Sequence, residues 1–188
     1  MGGMKIIKDK STNSAANWSA LKARLSNVDP ATLVALLHDL YAASKDNQAL
    51  LHARFDLGED VLKPYKATIK RWLSPDVFRG QDVSVIKAKK AVADFKKSGG
   101  QPAHLTELMV LYCECAAAFS VDVGMDDAVY LDALVSMFGQ ALTAIPGLPV
   151  ELQEAMFNRL EIVRRISRDL GYGVGEGLDA LWSDHGLA

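Results

Sequence analysis

The stretch "DDAVYLDALVSMFGQALTAI", residues 126–145, decides the fold. Tyr130, Leu131, Leu134, Met137, Phe138, Ala141, Leu142 and Ile145 recur at spacings of three and four. That is one side of a helix, since apolar residues on a half-buried strand alternate at every second position. Asp126 or Asp127 stands where a side-chain oxygen caps the first free N–H groups. The turn "PGLP" ends the helix.

The same period extends in both directions. Downstream, "VELQEAMFNRLEIVRRISRDLG" is amphipathic through Leu152, Met156, Leu160, Val163 and Ile166, with Gly171 placed as its C-cap. A last helix is expected from about Glu176 to Ser183. Upstream, Pro102 opens a helix with Leu105, Leu108, Met109, Tyr112, Ala116 and Phe119 on one side, broken at Gly124. "VIKAKKAVADFKKSGG", residues 85–100, buries Val85, Ala88, Ala91, Val92 and Phe95 and closes at Gly99-Gly100. Before it, Leu62, Tyr65, Ile69, Trp72 and Leu73 line a helix stopped by Ser74-Pro75, and residues 75–81 read as a loop. Asp29-Pro30 starts a helix whose stripe is Leu33, Leu36, Leu37, Leu40 and Tyr41. Shorter helices are expected around Trp18–Leu25 and Asn47–Phe55.

No segment alternates as a strand should. The class is all-α, with eight or nine helices in a bundle or an irregular stack of antiparallel helix pairs. Phe138, Ala141 and Pro146 match the second-helix half of a tetratricopeptide unit. The matching first helix would have to cross the break in "SVDVGMDD", so only a looser stack of pairs is expected.

With 188 residues the chain is long enough for one well-buried core. The expected organisation is a flexible segment over residues 1–16 and a single helical domain over 17–188. Apolar residues make up 49% and charged residues 23%, which excludes general disorder. No apolar run is read as long enough to cross a bilayer. The opening "MGGMKIIKDK" lacks the apolar core of a signal peptide, so a cytoplasmic location and no membrane partner are expected.

Five segments in order, "LHARF", "DVLKPYKATIKRW", "KAKKAVADFKK", "ELMVLYCECAAAF" and "DLGYGVGEGLDAL", carry a resemblance. Over about residues 18–185 the chain resembles a family of all-helical bacterial proteins without an assigned function. The resemblance implies a helical domain of bacterial, cytoplasmic origin. It brings no catalytic residue with it.

Charge is divided along the chain. Residues 63–97 hold ten Lys/Arg against three Asp, whereas residues 98–188 hold four Arg against thirteen acids. The basic helices at 60–97 and the acidic half at 102–188 either attract each other or face separate partners. Lys63, Lys66, Lys70, Lys89, Lys90, Lys96 and Lys97 form the candidate polyanion surface. Against it stands the spread of the lysines around the 85–97 helix, as on a solvated face with snorkelling stems. No helix-turn-helix, zinc-finger or RNA-recognition signature accompanies them.

The other candidates are weaker. "GYGVGEG", residues 171–177, follows a helix where a dinucleotide fingerprint needs a strand. Arg164, Arg165, Arg168 and Gly173 nonetheless make a possible anion site, although a close helix corner explains the glycines. "DVGMDD" lacks calcium-loop spacing and reads as a C-cap followed by an N-cap. His104, Glu107 and Glu114 share a face, but a di-iron bundle needs two Glu-x-x-His pairs in the other order. Cys113 and Cys115, two apart, read as buried reduced thiols.

No catalytic residue, cofactor or metal is expected. The expected role is non-catalytic: a helical scaffold engaging a protein partner or itself. Polyanion or nucleic-acid binding through residues 63–97 is the alternative. A small-molecule enzyme or ligand binder without a recognisable motif is the third class. Exposure of Trp18 or Trp182 would favour the first reading, because tryptophan anchors interfaces.

Overall fold

The computed structural model describes residues 17–58 and 60–187. Among these the chain forms nine α-helices and no strand. They are α1 (Trp18–Leu25), α2 (Pro30–Ala43), α3 (Lys45–Phe55), α4 (Lys63–Leu73), α5 (Val85–Ser98), α6 (Pro102–Val123), α7 (Ala128–Ala144), α8 (Val150–Ile166) and α9 (Val174–Asp184). The fold is all-α, as the helical period requires. The N-terminal segment expected to be flexible, residues 1–16, lies outside the described residues.

The caps explain the boundaries. Asp29 accepts the Thr32 N–H at 3.0 Å, with Pro30 at the first helical position. Asp127, and not Asp126, caps α7 through the Tyr130 N–H at 3.0 Å. Gly99 and Gly124 end α5 and α6 at φ of 69° and 63°, a region that favours residues without a β-carbon. The loop at 75–81 contains a short 3-10 turn, Val77–Arg79, between Asp76 and left-handed Gly80. Helix α9 begins at Val174, two residues before the expected start. Its interior glycines weaken the local helical signal, and close packing needs them.

The described residues divide into two compact units, one up to Ser44 and the other from Lys45 onward. In the first, neither α1 nor α2 has a buried residue. The predicted stripe of α2 is present, yet Leu36, Leu37 and Leu40 are exposed.

The second unit is a stack of helix pairs in two layers. Helices α4 and α5 run antiparallel, with Tyr65 edge-on to Phe95 and the Ser84 N–H donating to the Trp72 carbonyl at 3.0 Å. Lys66 meets Glu107, and the Ser74 hydroxyl meets the Cys115 carbonyl, so α4 and α6 run parallel. Helices α7 and α9 are also parallel: Val135 faces Gly177, Gly139 faces Leu181, and Thr143 meets His185. One layer is therefore α4, α6 and α8, and the other is α5, α7 and α9, with α3 packed on α5.

The predicted apolar faces of α4 to α7 meet between the layers. Tyr112, Tyr130, Phe95, Phe138 and Ile69 are among the largest fully buried side chains. Tyr130 donates its hydroxyl to the Leu73 carbonyl at 2.7 Å, tying α7 to the end of α4. Removing that hydroxyl leaves a buried carbonyl without its partner. Tyr130→Phe is expected to lower stability by about 1–2 kcal/mol in urea titration.

Residues Ala128–Gly147 are long and apolar enough to cross a membrane by length and composition. The sequence reading found no such stretch. Half of it is buried within this fold, where its apolar face forms core.

Candidate functional site

The basic pair α4/α5 is the most distinctive surface of the second unit, and its charges are not equivalent. Lys66 sits 3.3 Å from Glu107. Lys90 is paired with Asp94 one turn on. Lys63, Lys70, Lys96 and Lys97 are exposed and Lys89 half-exposed, with no ion pair among the described residues. Lys87 lies with its ammonium 3.7 Å from the centre of the Trp72 ring, and the Arg71 guanidinium lies 4.4 Å from it. Trp72 is half-buried and already engaged by these two cations. The predicted row Lys63–Lys66–Lys70 is thus interrupted at its centre by a carboxylate from α6.

A cleft of about 470 Å³ opens between α3, α4 and α5. Pro64, Tyr65 and Trp72 give it apolar walls, and Asp46, Lys87 and Lys97 reach its lining. The Thr68 hydroxyl beside it donates to the Pro64 carbonyl at 2.9 Å. The lining thus mixes both signs of charge and does not converge one sign on a point.

At the far end of the α4/α5 hairpin the short turn presents Phe78. The Asp76 carboxylate accepts the Phe78 N–H at 3.1 Å and pairs with Arg79 at 3.2 Å, which fixes the turn. Phe78 is 99% exposed on it, and Ile86, in the first turn of α5, is 81% exposed. Val77 and Val83 add further apolar surface. Arg71, Arg79 and Lys87 are the cations of this end. The sequence places Phe78 in a loop but does not show whether the loop folds back over it.

Arg159 is the second residue that the sequence reading missed. It reaches from α8 to α6, where its Nε and Nη2 donate to the two oxygens of Glu114 at 2.7 Å each. Its Nη1 donates to Glu107. These bonds, foremost those to Glu114, hold the guanidinium charged. Glu107 and Glu114 do share a face, seven residues apart, and what they hold is a cation of the chain. His104 lies instead 3.9 Å from Asp56 and edge-on to Phe95. No cluster with metal-ligating composition occurs among the described residues.

At the possible anion site, Arg164 is committed to Asp179 at 2.6 Å and lies over the Trp182 ring. Arg165, Arg168 and Gly173 are exposed. The first turn of α9 already carries Glu176, which complements the helix dipole. A β-carbon on Gly175 would sit 2.4 Å from the Arg168 carbonyl oxygen, so backbones meet closely at this corner. Trp182 is buried and Trp18 is 68% exposed.

Cys113 is fully buried and Cys115 half-buried, both as free thiols. Burial pushes Cys115 up to about 11 and Cys113 higher still. At pH 8, alkylation is expected to be slow at Cys115 and to reach Cys113 only after denaturation. The folded state keeps thiol protons that the unfolded state loses above about pH 8.5. Stability is therefore expected to fall as pH rises past that value, with the Cys115 contribution levelling above about 11. Urea midpoints from pH 7 to 11 check the trend.

No family model, curated protein or solved structure matches the chain.

Proposed function

We propose that this chain is a non-catalytic helical scaffold that binds a protein partner through the Phe78 end of the α4/α5 hairpin. The carrying observation is the exposure of Phe78, 99%, on a turn held by Asp76 and Gly80. Leaving a phenylalanine in water forgoes roughly 2 kcal/mol of burial. The turn fixes the Phe78 backbone, so docking orders only the two rotatable bonds of its side chain. Ile86 and Val77 widen the anchor, and with Arg79 paired to Asp76, the cations left to face a partner at this end are Arg71 and Lys87, both over Trp72. The partner chemistry that fits is an apolar pocket rimmed by carboxylates. Charge there contributes steering and register, and the buried ring contributes affinity.

The second reading is polyanion binding, favoured by Lys63, Lys70, Lys89, Lys96 and Lys97, which have no ion pair among the described residues. Titration with labelled oligonucleotides over a salt series separates the two. Under the second reading, binding weakens steeply with salt, and a Lys63→Glu/Lys70→Glu variant shows a shallower slope. Under the first, there is no saturable binding. Phe78→Ser then keeps the wild-type urea midpoint, because the ring has no packing to lose, and lowers partner affinity at least about tenfold.

A further inference from the structure

Helix α8 is the last member of its layer and carries more apolar surface than the fold covers. Met156, Leu160 and Val163 are buried beneath it. Leu152, Ile162 and Ile166 are 38%, 50% and 42% exposed, with exposed Ala155 among them. The positions 152, 155, 159, 162 and 166 have the alternating three-and-four spacing of a coiled-coil seam. Arg159 holds the central place, its guanidinium turned inward to Glu107 and Glu114. Beside the seam runs a row seven residues apart: Glu151, Asn158 and Arg165, all exposed. Neither Glu151 nor Arg165 has an ion pair among the described residues.

We propose that this face is the contact between two copies of the chain, paired antiparallel about a two-fold axis at Asn158. The row is its own complement. Glu151 and Arg165 lie equally far from Asn158, so each Glu151 meets Arg165 of the second copy and the two Asn158 amides face each other. The same axis sets Leu152 opposite the gap between Ile162 and Ile166 of the second copy, and Ala155 opposite the gap between its Arg159 and Ile162. The alanine lets the backbones approach, and a shifted register would take Glu151 and Arg165 out of line. A parallel pairing would place Glu151 on Glu151 and Arg165 on Arg165. The seam is only about 21 Å long at 1.5 Å per residue, so the association is a weak, micromolar one. It involves none of the Phe78 surface and stands independently of that reading.

Sedimentation velocity of the full chain over a concentration series tests this. Wild type is expected to show a monomer–dimer equilibrium below about 100 µM. Glu151→Arg and Arg165→Glu are each expected to weaken dimerisation at least about tenfold by opposing like charges. An equimolar mixture of those two variants restores the dimer, since every 151–165 contact between unlike copies then joins opposite charges again. Ile162→Asp abolishes it. Each variant keeps the wild-type circular dichroism, because these side chains are exposed in the monomer. A monomeric wild type at about 100 µM, single swaps without effect, or a mixture that stays monomeric would each overturn the proposal.

Discussion

Replacing Arg159 with methionine is expected to lower stability by about 3 kcal/mol, a fall in Tm of about 6–12 °C for a chain of this size. Methionine fills similar volume and follows the helical preference of the site, so neither packing nor propensity explains such a loss. The loss comes from Glu107 and Glu114. Arg159 is 29% exposed and they are 20% and 34% exposed, and without the guanidinium two like charges share a desolvated face. Lys66 answers only Glu107. Fully buried pairs lose about 3–5 kcal/mol when one partner is removed, and the residual exposure here sets the lower end of that range. Arg159→Met combined with Glu107→Gln and Glu114→Gln is expected to recover most of the loss, because the uncompensated charges are gone. Urea unfolding of the single and triple variants measures both. A single variant within about 0.5 kcal/mol of wild type would show that the network does not hold α8 on α6.

Gly175→Val is expected to be at least as damaging, about 3 kcal/mol or more. The β-carbon would meet the Arg168 carbonyl oxygen at 2.4 Å and the carbonyl carbon and Cα of Arg168 at 3.1 Å. These are backbone atoms of the α8–α9 connection and cannot swing away as a flexible side chain would. The corner must open, which pulls Trp182 from its contacts with Phe138 and Phe157. Tryptophan fluorescence then reports the change together with the shifted unfolding midpoint. Gly147→Ala is the control. Nothing lies within 4 Å of its added carbon, and its stability is expected to stay within about 0.5 kcal/mol.

Much of the fold can be read from local chemistry. Asp29-Pro30, Ser84, Gly99 and Gly124 mark helix ends because capping and left-handed geometry depend on neighbours in sequence. The buried faces of α4 to α7 follow from the helical period. Periodicity identifies an apolar face, but it does not say whether anything covers that face. Leu36, Leu37 and Leu40 on α2, and Leu152 and Ile166 on α8, lie on predicted stripes and remain exposed.

The pairing of charges is equally non-local. Lys66 and Glu107 are 41 positions apart, and Arg159 and Glu114 are 45 apart, so whether a lysine is free or held depends on the layer order. That order, with α4 beside α6 rather than only beside α5, rests on long-range packing that no local motif encodes. Phe78 is legible as a loop residue, but its exposure depends on how Asp76 and Gly80 shape the turn.

The most direct test of the binding role is a photo-reactive aromatic side chain at position 78 of the full chain, irradiated in native extract. Protein binding at this turn gives a discrete adduct that protease removes and nuclease leaves intact. Ile86→Asp, which leaves the fold unchanged because Ile86 is 81% exposed, then abolishes that adduct. Nuclease-sensitive adducts, or an adduct indifferent to Ile86→Asp, would contradict protein binding at this turn.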